Sequence, residues 1–488
     1  MTNLSEVLRA GYAHRLDATF LHTPGRDPLS FGEVDQRASQ FAGALEQYGV
    51  GVGDRVVAQV DKSSDGFALY LACLRRGVIY VPLNTAYTPS EVAVFVDDAE
   101  PSLVVTTPEA SPIDGVTQAT LSVDGTGTLA DAAAAAAPID EIIDRADEDI
   151  AAMLYTSGTT GRSKGAMLTH GCLADNGRSL HQIWSFQPGD ILLHSLPIFH
   201  VHGLFIALHP AMLNASETIF LLRYDVDTVL RYLPHVSVMM GVPTHYTRLM
   251  ADKRFDAASC RNIRLFTSGS APMTELVHRE FEKRTGQRIV ERYGMTEAGI
   301  ITSNPYDGER IAGTVGFPLP GVTLRIADDQ GTEVPTGETG VVEITSPSLF
   351  AGYWRLPEKT ASEFRPDGYF ITGDVGSVDE KGRVTLEGRS SDMIITGGLN
   401  VYPKEIEMEL DEVEGVLETA VVGIPDDDFG ERIVAFVVAD DADDLPSEKS
   451  LAASVSGLAR FKHPKEFHFV DALPRNAMGK VQKAQLRS

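Results

Sequence analysis

The chain has 488 residues, 43% of them hydrophobic, a formal net charge of -26 and three cysteines. Such a length calls for two or more domains with a cleft between them, and the acidity excludes nucleic acid, which binds cationic surfaces. No apolar run is long enough to span a bilayer, the opening MTNLSEVLRAGYAHRLD lacks the pattern of a secretory leader, and Cys73, Cys172 and Cys260 lie far apart without metal or disulfide spacing, so a cytoplasmic protein away from the membrane is expected.

In chain order, short β-rich runs precede helical patterns. DRVVAQV leads into an apolar-periodic stretch through Leu71, and VIYVPLN, SLVVTT, ETIFLL, VSVMMGVP and IRLFTSG follow. Strands alternating with helices predict mostly parallel sheets, whose ligands sit beyond the carboxyl ends of the strands. The alanine run Ala132 to Ala137, closed by Pro138, reads as a helical or flexible connector. From Thr323 the texture changes to TLRIADD, GVVEITS and GYFITGDVGSVDEKGRVTLEGR, alternating strands with glycine turns that predict an antiparallel barrel or meander. After a break near GRSSDM, YPKEIEMELDEV and LAASVSGLARF read as helices, and ETAVVGIP, RIVAFVVAD and EFHFVD as strands. The expected fold is α/β: a body over residues 1–389 of parallel-rich sheets with an antiparallel barrel-like subdomain, then a small α+β C-terminal unit over 390–488.

Tyr155-Thr-Ser-Gly-Thr-Thr-Gly-Arg-Ser-Lys-Gly165 follows the apolar run AAMLY. Its glycines let backbone N–H groups approach an anion, its hydroxyls donate to phosphate oxygens, and its cations neutralise them. Lys164 is followed by Gly165, so this polyphosphate loop is not a Walker A element. Further strings follow in order: Ser268-Gly-Ser-Ala-Pro272, Glu291-Arg-Tyr-Gly-Met-Thr-Glu297, Tyr369-Phe-Ile-Thr-Gly-Asp374, Gly388-Arg389 and Pro474-Arg-Asn-Ala-Met-Gly-Lys480. Chemically, the Tyr293 ring suits stacking on adenine, Thr296 an α-phosphate and Glu297 a hard cation such as Mg2+, while Asp374 can accept from ribose hydroxyls and Arg389 can reach ribose or phosphate.

Together these strings resemble the signatures of the adenylate-forming superfamily, which includes acyl-CoA synthetases, luciferase and peptide-synthetase adenylation domains. The resemblance implies an ATP-dependent acid:CoA ligase whose C-terminal unit is a mobile lid. It implies a nucleotide site of Thr156, Ser157, Gly158, Thr159, Gly161, Lys164, Ser270, Ala271, Pro272, Glu291, Tyr293, Gly294, Met295, Thr296, Asp374 and Arg389. Thr160 and Glu297 are implied as the metal-holding pair, and Lys480 as the lysine that bridges the acid's carboxylate and the α-phosphate. The hinge position, commonly Asp or Lys in the family, falls on Ser391.

The acid is read from His200-Val-His202-Gly203, Arg248 and Arg292. Alternation on a strand would put both histidines on one side, and the pair lacks further metal ligands in sequence. The resemblance places both arginines beside the acyl pocket, which implies an acid with a second carboxylate, since guanidinium pairs with carboxylate in two parallel bonds. LPIFHVHGLF, GVPTHYTRLM and ERYGMTE resemble malonyl-CoA synthetases, which implies His202, Arg248, Ser270 and Arg292 as the set for the distal carboxylate. Ala298, where that group often has a polar residue, keeps methylmalonate or another small acid open. A stand-alone adenylation enzyme loading a carrier protein is the alternative from another class. The expected partners are thus a small carboxylic acid, ATP and coenzyme A, with monomer and homodimer both open.

Overall fold

Runs of β-branched and apolar residues form the buried strands of two large sheets. In the computed structural model, which describes residues 3–156, 163–396, 399–426, 429–441, 444–476 and 479–487, the first sheet has nine strands. Its centre is parallel: Val290–Met295, Leu265–Ser268, Val238–Gly241, Ile191–His194, Glu217–Phe220 and Thr19–His22 lie side by side. The second has seven strands, with Ile150–Thr156, Ile79–Pro82, Arg55–Gln59, Leu103–Thr106 and Gln118–Thr120 parallel. One continuous core, including Phe67, Tyr70, Trp184, Leu204 and Phe220, packs between these layers.

The helices carry their own start signals. Ser30 and Glu33 close a capping box on Phe31–Gln47, and Thr88 and Glu91 do so on Pro89–Ala99, satisfying amides that the first helical turn leaves unpaired. Of the two forms expected for the alanine run, helical or flexible, the structure takes the first: it lies largely within helix Thr128–Ala135, which packs on Phe31–Gln47. An added Cβ at Gly43 would lie 2.3 Å from the Ala137 carbonyl oxygen, so glycine permits that close approach.

The stretch from Thr323 forms an antiparallel four-stranded sheet of Thr323–Ala327, Gly340–Thr345, Phe370–Val378 and Val384–Arg389. Beyond the turn Ser390–Asp392 comes a five-stranded sheet flanked by helices Pro403–Asp411 and Glu448–Ser454. It has a separate core including Ile394, Ile406, Leu410, Val421, Ile433 and Leu451. Among the described residues no helix is long and apolar enough to cross a membrane.

Candidate active site

Four parallel neighbours of the first sheet deliver the residues expected to meet the acid from their carboxyl ends. After Leu265–Ser268 the chain turns through Gly269 and Ser270, and Ser270 adopts a φ of 70°. This left-handed conformation costs a non-glycine residue roughly 1–2 kcal/mol and aims the hydroxyl at His202, with Oγ 3.2 Å from Nδ1. His202 opens a π-helical turn, His202–Ala207. The expected strand for His200 and His202 is thus corrected: the Leu204 amide donates to the His200 carbonyl, and Gly203 packs so tightly that a Cβ would lie 2.0 Å from the Pro197 carbonyl oxygen.

Arg292 comes from Val290–Met295 and is 4% exposed. Its guanidinium lies over Gly269, where a Cβ would meet Cζ at 2.5 Å. Nε and Nη2 have no hydrogen-bond partner, nor does His202 Nε2. Burial lowers the Arg292 pKa to about 9, which still leaves a cation at neutral pH. Burial, with Arg292 nearby, lowers the His200 pKa to about 4 and holds His202 well below the usual range. Both imidazoles are therefore neutral at pH 7, and the pocket is a buried cation with donors and no pairing carboxylate among the described residues. A buried charge is costly unless paired, so this arrangement fits an anionic ligand.

Arg248 stands apart from this trio. It lies in the last turn of helix Pro243–Met250, is solvent-exposed, and acts electrostatically on Tyr224 and His245, whose rings stack at 3.9 Å.

The residues expected to hold the nucleotide are assembled where the two sheets and the antiparallel sheet meet. The Tyr293 hydroxyl donates to Asp374 Oδ2 at 2.5 Å, and Arg389 Nε sits 2.7 Å from Asp374 Oδ1; Asp374 and Arg389 face each other across adjacent strands. Burial and then Asp374 push the Tyr293 phenol pKa well up, keeping it a donor. Gly294 and Met295 end the strand, and an added Cβ on Gly294 would lie 2.1 Å from the Gly299 carbonyl oxygen. Thr296 follows in the turn and lines a small internal cavity with Val201, Phe205 and Ser348. Glu297 is buried and accepts from the Thr156 hydroxyl at 3.3 Å and the Tyr353 hydroxyl at 3.0 Å. Lys164 lies 4.2 Å over the Tyr353 ring and 3.6 Å from Glu363. Ser157, Gly158, Thr159, Thr160 and Gly161 lie outside the described residues.

Ala271 and Pro272 follow Ser270 in the same loop, and the Met273 amide donates to Glu291 Oε1 at 3.3 Å. Burial raises the Glu291 pKa to about 7, opposed by Lys404 of the C-terminal unit. That unit reaches the site at a second point. Gly479 is so close to helix Pro243–Met250 that a Cβ would lie 3.0 Å from Thr244 Oγ1. Lys480 stays solvent-accessible, yet enclosing protein and then Arg389 lower its pKa, with Asp374 and Asp392 opposing. Ser391 lies in the turn Ser390–Asp392, whose Ser390 hydroxyl donates to the Gly373 carbonyl at 3.0 Å.

Tyr353 and Glu363 escaped the sequence reading because each supports a neighbour from outside the quoted strings, and Thr244 because, within GVPTHYTRLM, only Arg248 carried a charge. Tyr353 had the nearest thing to a signal, an aromatic in GYW soon after the second antiparallel strand, Gly340–Thr345.

The AMP-binding enzyme family matches residues 8–354, and the AMP-binding enzyme C-terminal domain matches residues 405–480. The chain is 35% identical to a malonate–CoA ligase of Arabidopsis thaliana, over 97% of this chain and 83% of that protein. It is 34% identical to a feruloyl-CoA synthase of an Amycolatopsis species, over 95% and 94%. Its structure is similar to the crystal structure of ATP-bound MatB from Rhodopseudomonas palustris, with a TM-score of 0.95 and 48% identity, covering 100% of this chain and 98% of that one.

Proposed function

The chain belongs to the AMP-binding enzyme family, and from that premise we propose that it is an ATP-dependent acid:CoA ligase converting malonate, ATP and CoA into malonyl-CoA, AMP and diphosphate through an acyl-adenylate. One observation carries the choice of acid: the buried Arg292 guanidinium, with two nitrogens unpartnered, beside Ser270 and His202. The feruloyl-CoA synthase is similar to nearly the same degree as the malonate–CoA ligase, so overall likeness does not choose between their acids; the pocket does. A distal carboxylate satisfies Arg292 through charge-assisted bonds of roughly 1.5–3 kcal/mol each. An acid lacking that group leaves the cation buried and unpaired, which supports discrimination on the order of 10⁴-fold.

In the first half-reaction a carboxylate oxygen attacks the α-phosphorus of ATP, forming the new P–O bond as the bond to diphosphate breaks. Attack of anion on anion needs positive charge, and Arg389 and Lys480, both near Asp374, supply it. Lys480 is the bridge between acid and α-phosphate in this reading. Tyr293 is the adenine platform within Glu291, Gly294 and Met295, and Asp374 accepts from ribose hydroxyls. Thr156, Ser157, Gly158, Thr159, Gly161 and Lys164 enclose the polyphosphate, and Ser270, Ala271 and Pro272 border the nucleotide.

The residues near Glu297 fit a magnesium ion. Its carboxylate is held by two hydroxyls, and no group of three or more His, Cys, Asp or Glu side chains able to hold a metal occurs among the described residues. That suits an ion that keeps water and phosphate oxygens as most of its ligands. Glu297 and Thr160 would hold it, and when bound it neutralises phosphate charge.

In the second half-reaction the CoA thiolate attacks the acyl carbon and the C–O bond to AMP breaks. The C-terminal unit, residues 390–488, turns about Ser391 between the halves. Its separate core and the single crossing through Ser390–Asp392 support that division. Arg248, on the outer end of its helix, is proposed to meet the distal carboxylate from the solvent side.

The test is release of AMP and diphosphate with CoA present, over malonate, methylmalonate, succinate, acetate, butyrate and a medium-chain fatty acid. Malonate or methylmalonate is expected to lead. A lead by any monocarboxylate would retain the ligase chemistry and overturn the assignment of the pocket.

A further inference from the structure

Lys62 is the one lysine side chain that the described structure encloses without a carboxylate partner, at 9% exposure. It follows Arg55–Gln59 of the second sheet, just before Ser63, the N-cap of helix Ser64–Arg75. From that carboxyl edge it crosses to the carboxyl edge of the first sheet. Its ammonium nitrogen lies 2.7 Å from His194 Nδ1, 3.0 Å from the His194 carbonyl oxygen and 4.4 Å from the centre of the Phe220 ring. Burial lowers the Lys62 pKa well below its usual value; as amine or ammonium the nitrogen still donates N–H, and one imidazole nitrogen, one carbonyl oxygen and one aromatic face surround it, so it is satisfied without an anion.

The partner histidine passes the arrangement on. His194 ends Ile191–His194, is buried, stacks on Phe220, and places Nε2 2.9 Å from the Gly203 carbonyl oxygen. A carbonyl only accepts, so Nε2 carries the proton and Nδ1 presents the lone pair that Lys62 meets. Gly203 is the second residue of the π-helical turn that begins with His202, and His202 Nδ1 is the atom beside Ser270.

We propose that Lys62 and His194 are positioning residues for the acid pocket: Lys62 fixes the tautomer of His194, His194 holds the Gly203 carbonyl, and the π-helical turn so held presents His202 with Ser270 and Arg292 to the distal carboxylate. A π turn is a local departure from helical hydrogen bonding, and a fixed donor to its carbonyl sets where it begins. The inference rests on the proposed reaction, since it assigns a support for the pocket that selects the acid.

Steady-state kinetics on the full chain tests it. Lys62→Met is expected to raise KM for malonate about tenfold or more, with kcat changed by less than about threefold and KM for ATP held within about twofold. The preference for malonate over butyrate falls by the same factor. His194→Asn, which loses the donor to Gly203, should do likewise. In His194→Gln the amide still reaches that carbonyl, and KM for malonate should stay within about threefold of wild type. Should Lys62→Met fail to fold, the His194 pair decides. Unchanged malonate KM in Lys62→Met and His194→Asn overturns the inference, as does an equal loss for malonate, butyrate and ATP, the mark of a general packing defect. A wild type without preference for malonate identifies instead a failure of the proposed reaction.

Discussion

Arg292 is kept charged in a place that does not suit a charge. Its desolvation is offset by no carboxylate in the described structure, and the glycine beneath it leaves room only for a flat guanidinium. Such an arrangement costs the free protein stability that a ligand anion restores. Glu291, one residue earlier, shows the opposite adjustment: burial raises its carboxyl pKa from 4.5 to about 7. A raised folded-state pKa contributes stability that is fully present below about pH 4.5 and is lost as pH rises through about 7. Glu291→Gln removes the titration, so the thermal midpoint of the variant should gain on wild type as pH rises from 5 to 8, by at most about 3 kcal/mol in stability; thermal denaturation across that pH range checks it, and parallel profiles would refute it. Arg292 and Ser270 were legible because each sits inside or beside a recognisable string. Their burial and the left-handed φ of Ser270 were not, since both depend on strands distant in sequence.

At the level of elements, the site is a set of strand ends. The alternation of strand and helix revealed which loops to read, and the runs around Val57, Val81, Met239 and Phe266 became the parallel strands expected of them. Reading failed where local pattern and tertiary contact disagree. His200-Val-His202 alternates like a strand, but the Pro197 carbonyl against Gly203 and the bond from His194 to Gly203 favour a π turn. Lys62 and His194 lay outside every string, and their contact joins two sheets across 132 positions of chain. The loop Gly269–Ser270 shows how tightly such ends are matched. In Gly269→Ala the new methyl meets an enclosed guanidinium that has little space to retreat. KM for malonate is expected to rise about tenfold or more, with KM for ATP within about twofold; titration of both substrates against the variant is the check.

For the whole molecule, among the described residues the body and the C-terminal unit meet where helix Pro403–Asp411 lies against strand Val384–Arg389, with Gly479 against Thr244, Lys480 near Arg389 and Asp374, Lys404 near Glu291, and an exposed ion pair of Arg279 with Glu412. Exposed pairs contribute little, which suits the proposed exchange of one orientation for another. The change of texture after Gly388-Arg389 made the second unit visible in sequence, whereas its docking on helix Pro243–Met250 required coordinates. Because Lys480 lies near Arg389 and Asp374 in this orientation, Lys480→Ala is expected to lower adenylate formation by about 100-fold or more while leaving thioester formation from supplied malonyl-AMP within about threefold. Separate single-turnover assays of the half-reactions read this, and equal loss in both would contradict the role given to Lys480. The central claim, that an unpaired buried arginine selects a second carboxylate, is tested most directly by the ratio of kcat/KM for malonate to that for butyrate in wild type and in Arg292→Met. That ratio is expected to collapse by roughly 10³-fold or more, chiefly through loss of malonate turnover; a ratio unchanged by the substitution would mean that Arg292 does not select the acid.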